Sequence, residues 1–123
     1  MRAVFGDSVR VLVAVPSPAA LSEFWHPERS RNAYPDGPEQ FVRDAMPAIR
    51  EEVALLAAAQ GVARVQLDDP WLTTFADNAI RKRFSDPDGA ARFAVEMLNA
   101  VIEGVPKGGA PVVHHLCRCC GLW

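Results

Sequence analysis

Ala63-Arg64-Val65-Gln66-Leu67-Asp68-Asp69-Pro70 carries the pattern that decides the fold. Ala63, Val65 and Leu67 alternate with Arg64, Gln66 and Asp68, the period of a strand whose one face meets a core, and Asp69-Pro70 ends it. Upstream, Val9, Val11, Val13 and Val15 alternate with Arg10, Leu12 and Ala14 and stop at Pro16-Ser17-Pro18, which predicts a first strand. Downstream, Val112, Val113 and Leu116 mark a third strand after the Gly108-Gly109 turn.

Two helical patterns lie between these strands. The first is expected to begin near 36–39, with Asp36 as cap and Pro38 in the first turn. It places Phe41, Ala45, Ile49, Val53 and Leu56 on one face and stops at Gly61. Pro47 predicts a kink in its second turn, or else a start near Met46. The second pattern starts at Asp86-Pro87-Asp88, faces inward with Ala90, Phe93, Ala94, Met97, Leu98 and Val101, and ends at Gly104 and Pro106. Residues 17–38 read as an irregular excursion with a short helix, anchored by Leu21, Phe24 and Trp25, and 71–83 as short helix and loop.

Strand, helix, strand, helix, strand is an α/β order, with connections long enough to join parallel strands. Both a doubly wound sheet and a closed (β/α)8 barrel contain such a unit, and the tandem order alone does not choose between them. No glycine-rich phosphate loop follows any strand, because Pro16-Ser17-Pro18 and Asp68-Asp69-Pro70 stand where one would be.

The chain has 123 residues, 50% apolar and 23% charged, which suits one domain over residues 1–123. Thirteen Lys and Arg against fifteen Asp and Glu give a net charge of -2, so no basic field exists to gather nucleic acid. The apolar run 11–15 is far short of the ~20 residues that cross a bilayer, so no membrane partner is expected. All three cysteines, Cys117, Cys119 and Cys120, fall in the last seven residues, which is no disulfide framework and fits a reducing cytoplasm.

Ligands of α/β folds gather at the carboxyl ends of strands, and two endings there can carry chemistry. Asp68 shares the polar face of its strand with Gln66 and is a candidate substrate-binding residue; capping of the next segment by Asp68 or Asp69 is the competing reading. His115 and Cys117 are two residues apart and so project from one strand face with Cα atoms roughly 7 Å apart. An imidazole and a thiolate so placed can hold zinc, which accepts both donors and activates a thiol or water at an open position. His114 falls on the other face as a packing or solvent residue. Cys117 and Cys120 also match Cys-x-x-Cys, a redox pair or half a zinc knuckle, ranked lower because only Gly121, Leu122 and Trp123 remain to form a stabilising helix. Trp25 and Trp71 are read as packing lids, and Arg29, Arg31, Arg81, Lys82 and Arg83 as solvated cations.

Taken together, Val-Pro-Ser-Pro at 15–18, Ala-Tyr-Pro-Asp at 33–36, Arg-Glu-Glu-Val at 50–53, Val-Gln-Leu-Asp-Asp-Pro at 65–70 and His-Leu-Cys-Arg at 115–118 resemble a known family. It is the catalytic domain of cobalamin-independent methionine synthase with its methyltransferase-like relatives, including the epoxyalkane:coenzyme M transferase branch. The resemblance implies a partial TIM-type barrel of about three parallel strands with two long crossover helices. It implies that His115 and Cys117 are two ligands of a catalytic zinc. It further implies a thiol acceptor such as homocysteine, a methyltetrahydrofolate-type methyl donor, and an orienting role for Asp68 toward the substrate.

The departures matter too. Asp69 stands where methionine synthases proper tend to have Glu, and Cys119-Cys120 stands where the relatives continue Gly-Asn. The family's other zinc ligands, a Glu and a Cys, belong to later strands, so the chain is expected to be an internal segment. Three strands cannot close a barrel of eight, and their unpaired edges predict self-association. The alternative function is therefore a noncatalytic metal- or partner-binding remnant that oligomerises.

Overall fold

The computed structural model describes residues 9–117. Three β-rich stretches become strands β1 (Val11–Pro16), β2 (Val62–Asp69) and β3 (Val112–Leu116). They form one parallel sheet in the order β1-β2-β3, the order of the chain itself. The register sets Val13 beside Val65, Val15 beside Leu67 and Pro16 beside Asp68, then Leu67 beside His114 and Asp68 beside His115. A register shift between Val11 and Leu12 is the one irregularity of the β1-β2 ladder.

A 3-10 helix (Pro18–Phe24) and the short α1 (Pro27–Ser30) fill the excursion after β1, and α2 (Pro38–Ala58) returns the chain to the sheet. After β2 come α3 (Pro70–Thr74), α4 (Asn78–Arg81) and the long α5 (Pro87–Glu103). Among the described residues no helix is long and apolar enough to cross a membrane.

The core lies between one sheet face and the two long helices. Val65 and Leu67 are fully buried against Val42, Met46, Val53 and Ala57 of α2 and Phe93, Met97, Leu98 and Val101 of α5. Alternation turns Leu12, Ala14, Pro16 and Arg64 to the other side, and all four are exposed. One face of the sheet is therefore roofed by helices and the other is bare among the described residues.

Two expectations about the first long helix, its cap and its inner row, are corrected, while its start near 36–39 holds over the alternative near Met46. Helix α2 is capped by Gly37, whose φ of 98° suits a residue without Cβ, and no side-chain oxygen, Asp36 included, caps it. It runs through Pro47 as one helix from Pro38, so no second start at Met46 exists; Pro47 is exposed, where its missing N–H costs least. Its buried stripe is Val42, Met46, Val53 and Ala57, with Phe41, Ile49 and Leu56 only partly buried at its flank. The stripe rotates because α2 packs against the 3-10 helix and α5 as well as against β2, which buries two adjoining rows. Helix α5 follows expectation, with Asp86 accepting from the Gly89 N–H at 2.8 Å and Gly104 closing it.

Close approach fixes the entry into β3. A Cβ on Gly109 would stand 2.7 Å from the Ala57 carbonyl oxygen, and that same oxygen accepts from the Ala110 N–H at 2.7 Å. Between the helices, Arg43 makes two bonds to Glu96, at 2.8 and 3.3 Å, and lies 5.0 Å from the Phe93 ring centre. That bond holds the Glu96 carboxyl below its usual range, although both groups are about half exposed and the pair adds little stability.

Removing Leu67 beneath the helices should cost roughly 2–5 kcal/mol as Leu67→Ala, whereas Leu12→Ala on the bare face should change stability by about 0.5 kcal/mol or less. Urea midpoints at constant slope measure both, and equal losses would mean that the bare face is covered in solution.

Candidate functional site

Two doublets at neighbouring strand ends, Asp68-Asp69 on β2 and His114-His115 on β3, place one acid and one imidazole on each face of the sheet. The inward pair is Asp69 and His114. Asp69 continues the Val65, Leu67 row and is completely buried. Its Oδ1 accepts from the Leu72 N–H at 2.9 Å, capping α3, and its Oδ2 lies 3.2 Å from His114 Nε2. The imidazole donates when it carries its proton on that nitrogen. Although β3 borders the sheet and His114 as a whole is exposed, its side chain is only 24% exposed. A buried carboxylate is costly without partners, and these two bonds are what make the position tolerable.

The outward pair is Asp68 and His115, in register across β2 and β3. Gln66 donates from Nε2 to Asp68 Oδ1 at 2.7 Å, which orients the half-buried carboxylate, and His115 is exposed. Cys117 follows β3 and is half-buried. Its backbone is tied to α3, where the Thr73 hydroxyl lies 3.0 Å from the Cys117 carbonyl and 2.9 Å from that of Pro70, donating to one at a time. Among the described residues, no three His, Cys, Asp or Glu side chains stand together as a metal-binding group. His115 and Cys117 lie two residues apart at the end of β3, and the described residues do not complete a three-donor group around them. The Cys119 and Cys120 readings lie outside the described residues.

No protein-family model, curated protein or solved structure matches the chain. The chemistry of the strand ends must be read from the geometry.

Capping by Asp69, one of the two readings of the Asp-Asp-Pro ending, is what α3 uses. What the pattern missed is the bond from Asp69 to His114, 45 residues away, although extending the Val65, Leu67 alternation by two residues puts Asp69 on the buried face. Ser17 was missed as well. It is fully buried at the end of β1, its N–H donates to the Asp68 carbonyl at 2.8 Å, and its hydroxyl has no hydrogen-bond partner among the described residues. Trp71 packs edge-on against Phe75 and Phe84, as a lid would, while Trp25 Nε1 donates to the Tyr34 carbonyl at 3.3 Å. Arg81 is engaged by Asp88, and Arg29, Arg31, Lys82 and Arg83 are exposed.

Asp69→Ala should lower stability by about 1–3 kcal/mol, because it strips the α3 cap and leaves His114 without its acceptor. Ser17→Ala should be neutral or stabilising by about 1 kcal/mol, since the hydroxyl it removes is buried with nothing to bond. Chemical denaturation of the two variants measures both signs, and a large loss for Ser17→Ala would show that its hydroxyl has a partner.

Proposed function

We propose that this chain is a methyltransferase-like segment whose bare sheet face holds zinc through His115 and Cys117 and presents it to a thiol. The observation that carries the reading is the outward pair, with Asp68 and His115 side by side at the carboxyl ends of parallel strands, on the face that no helix covers among the described residues. Strands in chain order with both long helices on one face also favour an arc of a (β/α)8 barrel over a doubly wound sheet, which carries helices on both faces.

The donors suit zinc in kind, since an imidazole nitrogen and a thiolate sulfur are both zinc ligands. Two donors are fewer than the three protein ligands of a catalytic site, so the ion is held weakly unless Cys119, Cys120 or a second chain adds donors. Bound zinc would lower the pKa of a thiol and make it nucleophilic. Asp68, held by Gln66, would orient the amino group of a homocysteine-like substrate; a folate-type compound is the donor that the family resemblance implies.

A second reading has its own support. The exposed Leu12 and the edges of β1 and β3, unpaired among the described residues, favour self-association, with zinc or partner binding and no turnover. Chelator competition measures zinc affinity, and methyl transfer to homocysteine from methyltetrahydrofolate measures activity. His115→Ala and Cys117→Ala should each weaken zinc by at least the roughly tenfold that even an outer partner of a metal ligand is worth, and His114→Ala should not. Zinc binding without transfer selects the second reading. Loss on Cys120→Ser together with retention on His115→Ala would overturn both readings in favour of the cysteine pair.

A further inference from the structure

On the helix-covered side of the molecule, the loops after β1 and β2 and the N-terminal parts of α2 and α5 line a cavity of about 190 Å³ that opens to solvent. Trp71, Phe84 and Phe93 give it an aromatic wall, and Glu23 and Glu39 bring two carboxylates to it, with Ser22 beside them. No Lys, Arg or His is among its lining residues.

The charges around the cavity do not cancel. The positive end of α5 is answered by Asp86, which caps it, and by Asp88, which Arg81 engages at its far side. The positive end of α2 is answered by Glu39, one turn before Arg43. Glu23 belongs to the 3-10 helix, is exposed, and has no ion pair among the described residues. Partial desolvation by the neighbouring apolar groups raises its carboxyl above the ordinary glutamate range, although the residue keeps access to solvent. Arg43 already lies against Phe93, which leaves Trp71 and Phe84, packed with Phe75 in one aromatic cluster, as the lining rings without a cation of their own among the described residues.

We propose that this cavity is a binding site for a small organic ammonium ion with an apolar body, its cationic head at Glu23 and its body against Trp71 and Phe84. An aromatic wall attracts a cation through its ring faces and an apolar group through burial, and a carboxylate lacking a counter-ion supplies the remaining selectivity. A free anion is rejected by the two carboxylates. The cavity is smaller than a typical drug-sized pocket of about 300 Å³ or more, so the ligand is compact, of the size of benzylammonium.

The test uses the intact chain, with benzylammonium as probe and phenylacetate as its anionic counterpart, following the Trp71 indole N–H in nitrogen-proton correlation spectra. Benzylammonium should shift that signal saturably in the millimolar range, phenylacetate should not, and Glu23→Gln should weaken binding roughly five- to tenfold while leaving the spectrum otherwise folded. Glu28→Gln, outside the cavity, should leave binding unchanged. Equal binding of phenylacetate, an unaffected Glu23→Gln, or no saturable shift at all would each overturn the assignment. The zinc measurements on the opposite face neither support nor weaken it.

Discussion

Burial of Val65 and Leu67 under two helices is the constraint on which the rest of the molecule depends. A strand has only two faces, and once these side chains are removed from water the fate of every neighbour on β2 is fixed. Burying a side chain of this kind is worth about 1.5–3 kcal/mol, far more than any surface ion pair here, so the apolar row sets the register and the polar residues accept its consequences. Asp69 shows the consequence most sharply. It lies on the buried row at no exposure, and it is tolerated because the Leu72 amide and the His114 ring meet its two oxygens.

Period-two and period-3.6 patterns in the sequence were enough to place the three strands, the start and inner face of α5, and the separation of Asp68 from Leu67. They succeeded because each depends on local alternation and on a core that agrees with it. The inner row of α2 was misplaced because α2 packs against β2, α5 and the 3-10 helix together, so two adjoining rows are apolar and the sequence does not say which lies deeper. The cap at Gly37 escaped notice because it relies on a positive φ and not on a side-chain oxygen. The bond from Asp69 to His114 was illegible for a different reason: it needs the relative slide of β2 and β3, which neither strand encodes alone.

That slide gives the paired doublets their meaning. A shift of one residue along β3 would exchange the roles of His114 and His115, turning the wrong imidazole toward the bare face. The inward bond between Asp69 and His114 resists such a shift, because it would separate a buried carboxylate from its partner, and the Thr73 hydroxyl at the Cys117 carbonyl holds the end of β3 against α3. The structural pair on one face thus fixes the position of the chemical pair on the other. Two adjacent acids and two adjacent histidines are no redundancy in this arrangement. Each doublet spends one member on alignment so that the other can face outward in a defined place.

The sheet also separates the two proposed sites. On the bare side the groups are an imidazole, a thiol and an oriented carboxylate, donor types that the proposed zinc site would use. On the roofed side the available surface is aromatic, with a carboxylate short of a counter-ion, which suits an apolar cation and offers nothing to zinc beyond Glu23 and Glu39. Both draw on the segment from Gln66 to Trp71, because alternation sends Asp68 to one side while the Asp69 cap starts the turn that carries Trp71 to the other. A change at Asp69 would therefore disturb both faces at once, and changes at Asp68 or Trp71 only one, which makes the end of β2 the hinge of the molecule's chemistry as well as the centre of its sheet.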